Sequence, residues 1–294
     1  MKFSLSTNWC NRRISSGEEI ADKALSLGFE ELELGFHTTL EQVRGFKARI
    51  DAIPVGSVHA FCPVPISAPQ GYPELYLLAD EDGEARKMAA LQVKRNIAFA
   101  AEMGADCVVL HAGRVRADGG LFARWGSDVK RRVKRGRKML SVLLRELEGL
   151  VPELEKNKVT LALENLPYLE GFPAEWEIGD VVGDWVKPWF DTGHDFVRRT
   201  NRWVADALAL STDRSPVELS DAAPVGLHIS DSRGGDDHLA PGEGRVDFAA
   251  LRDVARAARH LVFEPNPGVS DAALKRGLDH IRKLWCASSN IIPK

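Results

Sequence analysis

The sequence predicts one (β/α)8 barrel, an α/β fold in which a ring of parallel strands is surrounded by helices. Eight short apolar runs, rich in β-branched residues, recur along the chain and are separated by segments of helical periodicity. Neighbouring parallel strands need a crossover connection between them, which a helix supplies. Because such a barrel takes about 250 residues, we expect residues 1–294 to form a single domain.

Each predicted strand is a short apolar run that ends in polar or turn-forming residues. In chain order the strands are FSLST (3–7), ELELGF (31–36), VGSVHAF (55–61), DCVVLHAG (106–113), VTLALEN (159–165), PWFDTGH (188–194), VGLHIS (225–230) and HLVFEPN (260–266). Amphipathic segments between them, in which apolar residues return every three or four positions, are 17–28, 84–104 and 248–259. The loops 112–126 and 195–224 are long enough to act as lids, with Gly119 and Gly120 as candidate hinges.

Composition and charge restrict the class of protein. Hydrophobic residues make up 44% of the chain and charged residues 28%, which is typical of a globular protein. The net charge of −3 provides no global basic field for nucleic acid or an anionic membrane. The four cysteines are widely spaced, the stretch MKFSLSTNWCN lacks the apolar run of a signal peptide, and no apolar run approaches the roughly 20 residues that cross a bilayer. The sequence therefore predicts a cytoplasmic protein with no membrane partner.

Polar residues stand at the ends of the predicted strands, where the active site of a barrel forms. They are Glu33, His59, His111, Glu164, Asp191, His194, His228 and Glu264. Mixed imidazole and carboxylate ligands favour zinc, manganese, cobalt or iron(II). Glu164 and Glu264 end strands that lie three apart around the ring, so we expect them to face each other. The pattern predicts a divalent metal centre at the mouth of the barrel.

The loop after the seventh predicted strand holds further metal-capable side chains. In LHISDSRGGDDHLAPGEG (227–244) the residues His228, Asp231, Asp236, Asp237 and His238 precede a Pro-Gly-Glu-Gly turn. His228 ends the strand and is expected in the metal centre. Asp236 and His238 either bind further ions or position the substrate.

The ordered motifs VHAF, VVLHAG, LALENLP, FDTGH, LHISDS, DDHLAPGEG and VFEPNPG, within residues 55–268, carry a family resemblance. Together they resemble the xylose isomerase-like TIM barrel superfamily, which contains sugar-phosphate isomerases and epimerases and the endonuclease IV family. Resemblance to the isomerases and epimerases implies one divalent ion (Mn, Zn, Co or Mg) held by Glu164, Asp191, His228 and Glu264. It also implies that Glu164 and Glu264 are catalytic and move a proton through an enediolate of a sugar, sugar phosphate or related hydroxy-carbonyl compound. The candidate substrate-binding residues are Trp9, Glu33, His59, His111, His194 and Arg233, with a simple packing role as the alternative for Trp9 and Glu33.

Resemblance to endonuclease IV implies instead three zinc ions and a phosphodiesterase. The nine ligands would be His59, His111, Glu164, Asp191, His194, His228, Asp236, His238 and Glu264. However, STNWCNRRISS and GFHTTLEQVRG lack the first-strand signature and the DNA-penetrating loop of the nucleases, and FCPVPISAP follows His59 in place of their pattern. These departures disfavour abasic DNA, and nucleic acid generally, as the partner.

One charged segment and three other functions stay open. The run VKRRVKRGRK (129–138) has seven basic residues in ten, near the expected start of the fourth helix, and a solvated helix face is favoured over a contact with phosphate or a polyanion. Arg114 and Arg233 are further candidate anion contacts. The leading function is an isomerase or epimerase. The alternatives are a dehydratase or lyase on the same metal site, the zinc phosphodiesterase, and a ligand-sensing barrel without turnover; a homo-oligomer is compatible with each.

Overall fold

Eight parallel strands close into a barrel in the computed structural model, which describes residues 1–115, 125–179, 181–200, 223–235 and 237–286. The barrel strands are β1 (Ser4–Ser6), β2 (Glu31–Leu34), β3 (Val55–His59), β4 (Cys107–Leu110), β5 (Thr160–Glu164), β6 (Val186–Asp191), β7 (Gly226–Ile229) and β8 (His260–Phe263). Each strand pairs with its neighbours in sequence, and β1 pairs with both β2 and β8 to close the ring. The predicted (β/α)8 barrel is confirmed.

Helices surround this ring. They are α1 (Gly17–Leu27), α2 (Leu40–Arg49), α3 (Gly83–Glu102), α4 (Trp125–Glu148), α5 (Val151–Asn157), α6 (Glu175–Ile178), α7 (Thr192–Thr200), α8 (Arg252–Ala257) and α9 (Asp271–Trp285). Side-chain caps fix where several of them begin: Thr39 and Gln42 form a reciprocal capping box at α2. Among the described helices, none has both the length and the apolar character needed to span a membrane.

Two apolar cores result from the alternation of side chains along the strands. On β4, Cys107 and Val109 point into the barrel, where they join Trp189 in a small inner core. Val108 and Leu110 point outward into the large core between strands and helices. A Cβ at Gly226 would lie 2.1 Å from the Trp189 ring, so a glycine is required there for this indole to fill the barrel below the site.

Several predicted boundaries were wrong by a few residues. The sixth strand begins two residues before the run PWFDTGH, whereas its end at Asp191, with His194 beyond it, is where the sequence predicted. There α7 begins at once, because Asp191 Oδ1 accepts a hydrogen bond of 2.7 Å from the backbone N–H of His194. The expected lids are also shorter: Gly113–Arg114 pair with Gly171–Phe172, α4 begins at Trp125, and residues 195–200 belong to α7. The candidate hinges Gly119 and Gly120 lie outside the described residues, as do positions 116–124 and 201–222.

Candidate metal centre

Four buried side chains that could bind a metal ion, from neighbouring strands, converge at the C-terminal mouth of the barrel. Glu164 and Asp191 end β5 and β6, His228 lies on β7, and Glu264 directly follows β8. His228 Nδ1 lies 2.9 Å from Glu164 Oε1, 3.1 Å from Glu264 Oε2 and 3.8 Å from Asp191 Oδ2. Ligand atoms about 2.0 to 2.2 Å from one ion are expected roughly 3 to 3.6 Å from each other. The spacing therefore suits a single cation at the centre of the group.

Further groups adjoin this one and share its carboxylates. His59 Nε2 and His111 Nε2 lie 3.2 Å and 3.0 Å from Glu164 Oε2, so one carboxylate serves two groups. Asp191, His194 and His238 form another group in which the ligand atoms lie within 4.8 Å of one another. The histidines and carboxylates that the sequence placed at or just after strand ends therefore lie close together in the structure. Asp236 lies outside the described residues.

Three imidazoles of the site are oriented by a backbone acceptor on one ring nitrogen. In three histidines Nδ1 lies against a backbone carbonyl oxygen, at 3.0 Å in His59, 2.9 Å in His194 and 2.8 Å in His238. A carbonyl oxygen can only accept, so Nδ1 carries a proton in each, and a cation could be bound only through Nε2. Metal-ligating histidines have this arrangement.

Charge within the site is balanced between carboxylates and imidazoles. Burial alone lowers the pKa of His228, but Glu264, Glu33 and Glu164 together raise that pKa well above its usual value. Burial also lowers the pKa of His111, but Glu164 and Glu74 together raise that pKa to about 9. The reciprocal effect of His228 and His111 overcomes burial and holds the pKa of Glu164 well below its usual range. In the metal-free protein, protons on the imidazoles therefore offset the buried carboxylates.

The donor set fits a divalent cation. Three carboxylates and one imidazole are ligands that zinc, manganese and cobalt accept. Asp191 Oδ2 is buried and has no hydrogen-bond partner among the described residues, which is costly for a carboxylate unless a cation is nearby. Glu264 is also preset, because Asn8 Nδ2 donates to its Oε1 at 3.1 Å and leaves Oε2 toward His228.

Asp231 shapes the loop that carries His238. Its buried carboxylate accepts four backbone hydrogen bonds of 2.8 to 3.0 Å, donated by Ser232, Gly242, Gly244 and Val246. A Cβ at Gly244 would lie 2.3 Å from Asp231 Oδ1, so only glycine allows this close approach. Asp231 is thus a structural anchor of the loop rather than a member of the ligand groups.

A family model for the xylose isomerase-like TIM barrel matches residues 21–284. The chain belongs to this family. No curated protein matches it.

Solved structures with the same fold include sugar epimerases. The 3-keto-D-glucoside 4-epimerase from E. coli has a TM-score of 0.64 at 19% identity, over 96% of this chain and 99% of that one. D-psicose 3-epimerase, crystallised in the presence of D-fructose, has a TM-score of 0.62 at 16% identity, over 98% and 100%. The IolI protein with a bound zinc atom has a TM-score of 0.64 at 14% identity, over 98% and 100%. At these identities the likeness establishes the shared barrel.

Other residues that the sequence singled out lie at the edge of this family's barrel mouth or behind it. Trp9 is buried in the large core and donates from Nε1 to the carbonyl oxygen of Val269 at 2.7 Å, which agrees with the packing alternative. Arg233 is exposed and donates to the carbonyl oxygen of Glu243 at 3.0 Å. Arg114 forms an ion pair of 2.7 Å with Glu74 and stacks on a tyrosine ring.

Two acidic residues near the site had no role in the prediction from the sequence: Asp237 was named without a role, and Glu74 was missed. Asp237 places its carboxylate 3.7 Å from His194 Nε2 and 3.9 Å from His238 Nε2, although its neighbour Asp236 had been chosen as the ligand. Glu74, from the segment after β3, lies 3.7 Å from His111 Nδ1. The DDH triplet offered a signal for Asp237, whereas a carboxylate within a long segment between a strand and a helix offered none for Glu74.

The basic run 129–138 divides into two kinds of residue within α4. Arg132 is fully buried, forms an ion pair of 3.0 Å with Glu177 and donates to the carbonyl oxygens of Leu169 and Gly171. Lys134, Arg137 and Lys138 are exposed. The favoured interpretation, a solvated helix face, describes these three but not Arg132.

Proposed function

We propose that the protein is a divalent-metal-dependent isomerase or epimerase of a small sugar or related hydroxy-carbonyl compound. One observation carries the proposal: Glu164 and Glu264, from strands three apart around the barrel, both reach Nδ1 of His228 in one buried group. Two carboxyl groups that approach a common position from different sides are what a proton transfer with base and acid requires. The sugar epimerases among the solved structures of this fold support a carbohydrate substrate.

Each group has a role in this chemistry. A bound divalent cation would stabilise the negative charge that develops on the substrate oxygens. One carboxylate removes a proton from the carbon next to the carbonyl, and the other carboxyl group returns a proton to the opposite face or to the neighbouring carbon. Asn8 donates to Glu264 Oε1, which fixes the orientation of that carboxylate. Glu164 Oε2 is engaged by His59 and His111, which fixes the plane of that carboxylate.

Burial restricts how the substrate is held. Glu264 is 6% exposed and His194 is 5% exposed, so a substrate that reaches them is withdrawn from bulk water. His194 Nε2 lies 3.7 Å from Asp237 Oδ2, and with a proton on Nδ1 this nitrogen can accept from a substrate hydroxyl. We propose that His59, His111 and His194 contact the substrate when a single ion is bound.

The test is exchange of solvent deuterium into carbon-bound positions of a panel of ketoses and aldoses, including D-fructose and D-psicose, with Mn²⁺, Co²⁺, Zn²⁺ and Mg²⁺ in turn. Replacing Glu264→Gln should lower exchange by about 10² to 10⁴-fold. Glu243→Gln is the matched control, because Glu243 lies on a nearby loop and pairs with Arg276 at the surface. No exchange with any sugar and metal would refute the proposal, and loss of water from the sugar would indicate the lyase instead.

A second function is favoured by a specific observation: the groups around His59 and His111 and around His194 and His238 could hold two further ions beside the first. Such a centre suits a phosphodiesterase, in which neighbouring ions stabilise the attacking and leaving oxygens. Elemental analysis of the purified protein distinguishes the two functions. Three ions per chain together with nicking of an abasic duplex would favour the phosphodiesterase, whereas one ion per chain favours the isomerase.

A further inference from the structure

His228 is held by a carboxylate on the side that faces away from the ligand group. Its Nε2 lies 3.1 Å and 3.2 Å from the two carboxylate oxygens of Glu33, whereas its Nδ1 lies 2.9 Å from Glu164 Oε1. The backbone carbonyls that orient His59, His194 and His238 are replaced here by a charged side chain. Hydrogen bonds to an ionised acceptor are stronger than those to a neutral one.

Glu33 is itself held rigidly. It is fully buried on β2 and accepts a hydrogen bond of 2.8 Å from Ser57 Oγ, which stands beside it on β3. The His228 ring is confined as well, since the Trp189 ring meets it edge-on at 5.0 Å and the His59 ring stacks on it at 5.7 Å. Glu33 therefore contacts the back of one ligand and has no exposed surface from which to meet a substrate.

We infer that Glu33 is a positioning residue for the metal centre, which acts by accepting the Nε2–H hydrogen bond of His228 and turning the Nδ1 lone pair toward Glu164, Asp191 and Glu264. This role differs from both roles that the sequence left open for Glu33, lining the pocket and simple packing, and it rests on the proposed function only in that the four-ligand group binds a divalent cation. Neutral imidazole carries one N–H, so an acceptor on the Nε2 side keeps the proton there and leaves Nδ1 as the ligand. Without Glu33 the Nε2–H group would be buried with no acceptor, and the other tautomer would direct an N–H toward the cation.

The test uses Co²⁺ alone as the probe, with the metal-free wild-type protein and three variants. Glu33→Ala removes the acceptor, while Glu33→Gln keeps a neutral oxygen that can accept from Nε2. Glu31→Gln is the matched control, because it makes the same substitution two residues earlier on β2, where Glu31 contacts Lys2 and Ser4 rather than His228. Co²⁺ affinity is measured by chelator competition, and the visible absorption spectrum reports the ligands. Circular dichroism and urea unfolding of the metal-free variants report folding separately.

We expect Glu33→Ala to weaken Co²⁺ binding by about 10 to 100-fold and to alter the spectrum, as loss of an outer-shell acceptor does. Glu33→Gln should recover most of this affinity, and Glu31→Gln should bind as the wild-type protein does. Equal affinity and spectra for Glu33→Ala and the wild-type protein would overturn the inference while leaving the proposed function intact. So would a loss that Glu33→Gln fails to reduce. If the wild-type protein itself bound no Co²⁺, the proposed function would fail first and this inference with it.

Discussion

Replacing Asp231 with Asn should destabilise the fold strongly, although the side chain keeps its shape. Each carboxylate oxygen accepts two backbone N–H groups: Oδ1 those of Ser232 and Val246, and Oδ2 those of Gly242 and Gly244. Asn substitutes an NH₂ for one oxygen, so two donors meet a donor whichever way the amide is turned. Hydrogen bonds to charged groups contribute about 1.5 to 3 kcal/mol each. Loss of two bonds should therefore lower the free energy of unfolding by about 3 to 6 kcal/mol.

Urea unfolding followed by circular dichroism measures this loss, with the m-value checked to be unchanged. Asp247→Asn is the matched control, because Asp247 lies on the same loop, is exposed and accepts one hydrogen bond, from the N–H of Ala250. The control should stay within about 1 kcal/mol of the wild-type protein. If Asp231→Asn were as mild as its control, the claim that Asp231 anchors the loop would be wrong.

Three further predictions follow from the site and from α4. Arg132→Met should lower the free energy of unfolding by about 3 to 5 kcal/mol, because it leaves the Glu177 carboxylate buried without its ion-pair partner. The control Lys134→Met, at the surface, should change the free energy of unfolding by less than about 0.5 kcal/mol. Equal urea midpoints for the two variants would contradict this prediction. The metal-free protein should lose stability as the pH rises from 6.5 to about 9. The pKa values of His111 and His238 are raised to about 9 in the folded state, so their protonation favours folding, and this contribution is complete below pH 6.5 and is lost as the pH rises through about 9. A melting temperature that does not change over that range would argue against this prediction. His238→Asn should leave a single bound ion in place under the isomerase proposal, and a fall in metal content by elemental analysis would point to a multinuclear centre.

The fold could be predicted because it follows from periodicity. The C-terminal ends of parallel strands meet at one face, so the polar residues at those ends were expected to lie together. The selection of Glu164, Asp191, His228 and Glu264 among them came from the family resemblance. Hydrogen-bond partners have no such signal. Asp231 accepts hydrogen bonds from backbone N–H groups eleven to fifteen residues later, and their direction depends on the Pro-Gly-Glu-Gly turn. Glu33 forms a hydrogen bond with His228, which is 195 residues away in the sequence.

The burial of Arg132, within the basic run 129–138, could have been predicted from helical periodicity, although the composition of the run suggested otherwise. Within residues 131–148 of α4, the buried positions are Arg132, Gly136, Met139, Leu143 and Leu147, which recur at helical spacing. Seven basic residues in ten suggest a uniform solvated face, yet the phase of the apolar stripe puts Arg132 on the inner side. Gly136 leaves the space for its ion pair, since a Cβ there would lie 2.0 Å from Glu177 Oε1.

Glu164 links the two functions that the ligand groups allow. Its Oε1 faces His228 in the four-ligand group, and its Oε2 faces His59 and His111. In the metal-free protein, Glu164 and Glu74 raise the pKa of His111 to about 9 against the effect of burial, so His111 carries a proton that donates to Oε2. Glu264, Glu33 and Glu164 likewise raise the pKa of His228. The first ion as well as a second would therefore have to displace an imidazole proton before it could share Glu164, and this carboxylate is compatible with either number of ions.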